Sequence, residues 1–306
     1  MERRDFFKYL VASGAFACAG CNSNFYELGR KNKKNKQNKS NKKFKIAHLG
    51  IPICYHCNLN CAYCNHYSPI APVYEMPVEV FEKDIKKLYD LAKGEIGEFA
   101  LVGGEPLLHK DIEKLIEILY KYFPDAYRKI TTNGILLKEM PESFWKTCKR
   151  TDTVVKCTAY VFSVKDLVRN QVQQIKNKYN VRLSIAKRDK IYFGKTNFSK
   201  NITPKSENNW KKCVMNVSCA QLDNGKIYPC CIMSNIRFFN DYFKDYAIPL
   251  VESDYIDIHN VNSVDEIIKY FKNKKEFCKY CNYGKELVPW RISKKEISEW
   301  YDVGKV

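Results

Sequence analysis

Three cysteines within eight residues, Cys57, Cys61 and Cys64, carry the first chemistry legible in this chain of 306 residues. The spacing C-x3-C-x2-C reads as a loop that holds three irons of a [4Fe-4S] cube and leaves the fourth open, because a fourth thiolate would complete the cube. Cys54 extends the run to four thiols and raises a zinc site as the alternative. The two CxxC pairs of a zinc ribbon stand about 15–20 residues apart, whereas here three residues separate them. A ferredoxin run, C-x2-C-x2-C-x3-C-P, has another spacing, and a disulfide framework does not suit a chain of this length.

About forty residues later comes Gly103-Gly104-Glu105-Pro106, directly after the apolar run Phe99–Val102. That run reads as a buried strand. Glycines at the C-terminal end of a strand, where barrel folds place their sites, let backbone approach a ligand closely. A third segment, Ile130-Thr131-Thr132-Asn133-Gly134, ends another strand in a turn. On these three segments the chain resembles the radical S-adenosylmethionine (radical SAM) superfamily, over about residues 46–200. The resemblance implies a [4Fe-4S] cluster and SAM as cofactors, with the open iron chelated by the amino and carboxylate groups of SAM. An electron then releases a 5′-deoxyadenosyl radical that abstracts hydrogen from a substrate. It also implies that Tyr63, the aromatic before the third cysteine, lies near the adenine. Gly103, Gly104, Glu105 and Pro106 would hold the methionine part, with Glu105 accepting from its ammonium, and Asn133 would stand beside them.

Periodicity supplies the elements that must position these residues. Phe44–Ile53 reads as a strand running into the cysteine loop. Met76–Lys93 reads as a helix with Phe81, Ile85, Leu88 and Ala92 on one face, and Asp111–Phe123 as another with Ile112, Leu115, Ile116 and Leu119. Strands at Lys129–Thr132, Thr153–Thr158 and Val181–Ile185 alternate with a short helix at Pro141–Arg150 and a stripe of Val164, Leu167, Val168, Val172 and Ile175. Alternating strands and helices imply a parallel sheet of right-handed βαβ units. The fold class expected is α/β, a partial (β/α)6 TIM-like barrel with a small C-terminal α+β domain. Cys148 and Cys157 read as core residues.

The C-terminal third holds a second set of thiols, Cys213, Cys230, Cys278 and Cys281, with Gly225 between the first two. The pattern C-x11-G-x4-C followed by CxxC resembles the twitch domain, the shorter relative of the SPASM domain. The resemblance implies an auxiliary [4Fe-4S] cluster that accepts an electron from a substrate radical. Cys219 and Cys231 are substitutes for these ligands, and zinc on four cysteines is the alternative metal. Asp223-Asn224-Gly225 should form a hairpin turn, and Ser263-x2-Glu266 a capping box.

Half of the formal net charge of +18 comes from nine basic residues between Arg30 and Lys45. This Lys/Asn-rich tract cannot support a core and reads as a solvated linker. Aromatics do not interleave with it as in single-strand binders, so nucleic acid is disfavoured as a partner. Before it, Arg3-Arg4-Asp5-Phe6-Phe7-Lys8 and the apolar Leu10–Gly20 resemble a twin-arginine export signal, and Cys18-Ala19-Gly20-Cys21 loosely resembles a lipoprotein box. The expected organisation is residues 1–21 signal-like, 22–45 linker, 46–200 radical SAM core and 201–306 auxiliary-cluster domain. SAM chemistry favours the cytoplasm, whereas the N-terminus points to export or a membrane tether.

The function expected is reductive cleavage of SAM and hydrogen abstraction, leading to oxidation of a carbohydrate-type or other small polar substrate. A low-potential donor of flavodoxin or ferredoxin type would supply electrons. Oxidation of a carbinol also needs a general base, for which His48, His66, His109 and several Lys and Arg residues stand equal. The alternatives are a peptide-modifying maturase and, outside enzymes, an iron–sulfur or zinc protein that binds partners.

Overall fold

The computed structural model describes residues 44–158, 162–186, 192–284 and 286–304. The export-signal and linker readings on residues 1–43 lie outside the described residues. In chain order the elements are β1 (Leu49–Cys54), α1 (Val78–Ala92), β2 (Glu98–Gly103), α2 (Ile112–Tyr122), β3 (Tyr127–Thr132), α3 (Glu142–Arg150), β4 (Val154–Cys157), α4 (Phe162–Tyr179), β5 (Leu183–Ile185), β6 (Tyr192–Gly194), α5 (Asn209–Lys212), β7 (Gln221–Asp223), β8 (Lys226–Tyr228), α6 (Cys231–Ser234), α7 (Ile236–Tyr242), β9 (Ile256–Asp257), α8 (Val264–Lys272) and β10 (Leu287–Pro289).

Strands β1 to β5 pair in parallel in the order β5-β4-β3-β2-β1. This is the α/β partial-barrel architecture expected. On β1, Leu49, Ile51 and Ile53 join the apolar stripes of α1 and α2 in one core, and Phe99 packs on Phe123 with ring centroids 4.8 Å apart. Each such side chain contributes about 1.5–3 kcal/mol by leaving water. Successive strand residues point to opposite faces, so the residues between these apolar ones face the concave side of the sheet.

Three departures from the sequence reading have physical causes. The first strand begins at Leu49 rather than Phe44; Ile46 makes only an isolated bridge to Ile96 before the ladder forms. On α4, Leu167 is 46% exposed, while Val168, Val172 and Ile175 are buried. The face is set by Val168, which packs under Gly134, where a Cβ would come within 2.8 Å of its Cγ1. The third departure is larger. Strand β7 pairs with the free edge of β1, Gly50 opposite Gln221, and β8 and β9 continue the same sheet antiparallel. The hairpin turn is the one expected, with Asn224 at φ 48° and Gly225 at φ 76°. Ala220, Leu222, Ile227, Val264 and Ile267 share the core of β1 to β4, so that core crosses residue 200. The Glu266 carboxylate accepts from the Ser263 N–H at 3.0 Å and caps α8. Strands β6 and β10 form a separate antiparallel pair. No helix among the described residues is long and apolar enough to cross a membrane.

Candidate active site

Cys57, Cys61 and Cys64 follow β1 on one irregular loop, all half-buried and free of disulfides. Asn60 and Tyr63 adopt positive φ, 47° and 60°, and so turn the loop sharply between the cysteines. The Leu59 N–H lies 3.4 Å from the Cys57 sulfur. Burial pushes the Cys57 thiol up to about 12, a cost that iron offsets by binding the thiolate. Cys54, the fourth thiol of the run, is directed elsewhere: it is buried at the end of β1 and donates to the Glu105 carbonyl at 3.0 Å.

The Gly103-Gly104 turn lies against that loop. A Cβ on Gly103 would overlap the Cys54 carbonyl, and one on Gly104 the His56 carbonyl. The glycines are therefore demanded first by the backbone of the cysteine loop, whereas the sequence reading placed a ligand there. Gly104 N–H donates to Cys54 O at 2.9 Å and Glu105 N–H to His56 O at 3.0 Å, which fixes the two segments together. Pro106 opens a short 3-10 turn.

Glu105 is buried, and its carboxylate is already engaged. It accepts from Leu107 N–H at 3.0 Å, Thr132 Oγ1 at 2.6 Å and Asn133 N–H at 2.8 Å. Burial pushes its pKa up to about 6, against these three bonds. In this arrangement Glu105 ties the end of β2 to the end of β3. The Asn133 side chain then reaches the cysteine loop, with Nδ2 2.7 Å from Asn58 Oδ1 and 3.8 Å from the Cys57 sulfur. The three segments picked out by sequence thus converge on one spot.

A fourth segment does so too, and its residues carried no periodic or motif signal. After β10, the chain crosses the cysteine loop: Ala62 N–H donates to Arg291 O at 2.9 Å and Ser293 N–H to Asn60 O at 2.9 Å. Trp290 Nε1 stands 3.1 Å from the Cys61 sulfur and Trp300 Nε1 3.0 Å from Cys64 O. The Arg291 guanidinium lies 5.1 Å over the Tyr63 ring, and buried Glu299 holds Arg291 and Ser293 at 2.7 and 2.6 Å.

The three histidines are each engaged differently. His48 donates to Glu98 Oε1 at 2.8 Å, at the far end of the strands from the cysteine loop. His109 donates to Met76 O and accepts from Asp111 N–H, as a structural tie. His66 donates to Gly103 O and meets the Gln221 amide at 3.2 Å, next to the glycine turn.

In the C-terminal third, Cys230 lies within electrostatic reach of Cys213 and Cys278, and Cys278 of Cys281 and Cys213. The Val217 N–H to Pro229 O bond joins the Cys213 turn to the strand end before Cys230. Buried Asp254 accepts from Phe277 N–H at 3.0 Å and so fixes the CxxC turn. Cys231 is buried at the start of α6, and Cys219 is buried just before β7. Tyr67 stands between the two cysteine sets. It is fully buried, its hydroxyl has no hydrogen-bond partner among the described residues, and it senses Cys281, Cys231, Cys230 and Cys64. Among the described residues, no three His, Cys, Asp or Glu side chains meet as a site for a single metal ion. The donor chemistry of Cys57, Cys61 and Cys64 fits an iron–sulfur cluster with one open iron.

Residues 51–187 match the family model described as the radical SAM superfamily. The GTP 3′,8-cyclase of Sulfurimonas denitrificans is 28% identical over 145 residues, 46% of this chain and 45% of that protein. The GTP 3′,8-cyclase of Campylobacter jejuni subsp. doylei is 31% identical over 150 residues, 46% of each. The chain spans a little under half the length of these curated relatives. Among solved structures, BtrN in complex with AdoMet and 2-DOIA aligns with a TM-score of 0.48 and 19% identity, covering 80% of this chain and 94% of that one.

Proposed function

Residues 51–187 belong to the radical SAM superfamily, and from that premise we propose an enzyme that oxidises a small polar, carbohydrate-type substrate. The chain is a radical SAM enzyme that uses a [4Fe-4S] cluster and SAM. When bound at Cys57, Cys61 and Cys64 these supply hydrogen-atom abstraction, and a second cluster on Cys213, Cys230, Cys278 and Cys281 would accept the remaining electron. The chain's own residues do the positioning. Glu105 locks the ends of β2 and β3 together, and Asn133 carries that junction to within 3.8 Å of the Cys57 sulfur. That convergence is the observation that carries the reading. Tyr63, flanked by Arg291, is the aromatic face offered to the adenine.

The second cluster is supported by Tyr67. A buried hydroxyl without a partner costs about 1–3 kcal/mol, and a cluster sulfur among Cys230, Cys231 and Cys281 would offset that cost by accepting from it. Lys275 supports it as well: this buried lysine, lowered to about 8 by desolvation, donates to the Tyr270 and Asn273 carbonyls and lies within electrostatic reach of Cys278. A nucleotide substrate is the second reading, favoured by the likeness to GTP 3′,8-cyclases over a little under half of the chain.

The test is anaerobic reconstitution followed by metal and sulfide analysis and an assay for 5′-deoxyadenosine. About eight irons per chain and SAM cleavage fit the proposal. About four irons, lost in Cys57→Ala, keep the SAM chemistry and remove the second cluster. Stoichiometric zinc with little iron sinks the reading.

A further inference from the structure

The concave face of the sheet carries a set of charges that no part of the proposed chemistry uses. Ile130, Val155 and Cys157 lie in the core beneath the helices. Their strand neighbours Lys129, Thr131 and Lys156 therefore face the other way. The register places Thr131 opposite Lys156, with Lys129 one pleat repeat further from the cysteine loop. Lys129 is neutralised: its Nζ lies 2.5 Å from Glu98 Oε1, which also accepts from His48. Lys156 is half-buried and has no carboxylate partner among the described residues. Desolvation lowers its pKa, the Lys129 charge lowers it further, and the Glu98 carboxylate offsets part of both. The Thr131 hydroxyl beside it is buried and has no hydrogen-bond partner among the described residues.

This group stands just below the candidate reaction centre. Lys129, Thr131 and Asn133 follow one another on the same face of β3 and its end, and Asn133 reaches Cys57. One pleat repeat is about 6.6 Å. A ligand of a few carbons could therefore touch Lys156 at one end and reach the cysteine loop with the other. A partly desolvated ammonium with no direct carboxylate contact among the described residues, whose attraction to Glu98 is shared with Lys129 and His48, gains when an anion enters.

We propose that Lys156, with Thr131 and Lys129, forms a subsite on the concave face that binds an anionic oxygen group of the substrate, a carboxylate or a phosphate. The subsite rests on the reading that this face is the substrate cavity of a radical SAM enzyme. It would orient the substrate with its reacting carbon toward Cys57, Cys61 and Cys64.

The experiment is isothermal titration of the full, anaerobically reconstituted chain with inorganic pyrophosphate and, separately, with malonate. Binding of one of them should fall about tenfold or more in Lys156→Met, the loss expected for one charge-assisted hydrogen bond. Lys156→Arg should restore it to within about threefold, and Lys149→Met, on the exposed end of α3, should leave it unchanged. Pyrophosphate alone assigns a phosphate, and malonate alone a carboxylate. No binding of either by the wild type, or equal binding by wild type and Lys156→Met, overturns the subsite. Iron content and SAM cleavage of the wild type are measured in the same preparation. Their absence would mark failure of the radical SAM reading, whereas their presence without anion binding would mark failure of the subsite alone.

Discussion

Trp290 donates its indole N–H to the Cys61 sulfur across 229 residues of sequence. Donors to a ligand sulfur stabilise the more negative, reduced form of a cluster, so they tune its potential. Trp290→Phe should therefore leave iron content unchanged and make the cluster harder to reduce, with a lower midpoint in an electron paramagnetic resonance titration. An unchanged midpoint would remove the role. Gly104→Ala acts on the same loop by another route. Its Cβ would overlap the His56 carbonyl, which is backbone and cannot rotate away. The variant should lose more than about 1 kcal/mol of stability and most of the cluster's iron, read by urea unfolding and metal analysis. The cysteines and the glycine turn were legible because each demands one residue type at one spacing. Trp290, Arg291 and Glu299 were not, because an indole or a carboxylate in a non-periodic tail gives no sign of its distant partner.

At the scale of elements, the parallel strands were legible because a half-buried helix repeats its apolar residues every three to four positions. What escaped was the charge on the concave face, since Lys129 and Lys156 each look like one polar position in a short apolar strand. Glu98 shows what that charge does for stability. Burial alone would raise its pKa, but the His48 hydrogen bond and the Lys129 charge outweigh burial and hold it at about 2, below the ordinary 4.5. A carboxylate depressed in the folded state adds stability that is present above its unfolded pKa and lost as pH falls through the folded one. Its contribution is about 3 kcal/mol at neutral pH. Glu98→Gln should therefore be destabilised by about that amount at pH 7, and the gap to wild type should close between about pH 4.5 and pH 2. Urea unfolding curves at a series of pH values check this, and a gap independent of pH would contradict it.

The whole molecule is joined in ways a division at residue 200 does not anticipate. Strand β7 covers the edge of β1, apolar residues of α8 share the core of the barrel, and the segment after β10 clamps the cysteine loop. Tyr55 and Tyr67, both from the barrel side, pack in the same cluster as Cys230, Phe239 and Trp300. The sequence could not show this, because β7 is three residues long and pairs with a strand more than 160 positions earlier. Separate domains would leave β1 with an open edge, which invites aggregation. A continuous core instead predicts one cooperative transition. Three of the four tryptophans, Trp210, Trp290 and Trp300, lie in the C-terminal third, whereas five of the parallel sheet's strands and its longest helices lie before it. Tryptophan fluorescence therefore reports mainly the C-terminal third and far-ultraviolet circular dichroism mainly the barrel. For the metal-free protein in urea the two probes should trace the same midpoint and slope. Two resolved midpoints, with fluorescence changing first, would mean that the C-terminal third unfolds alone and that the shared core contributes little.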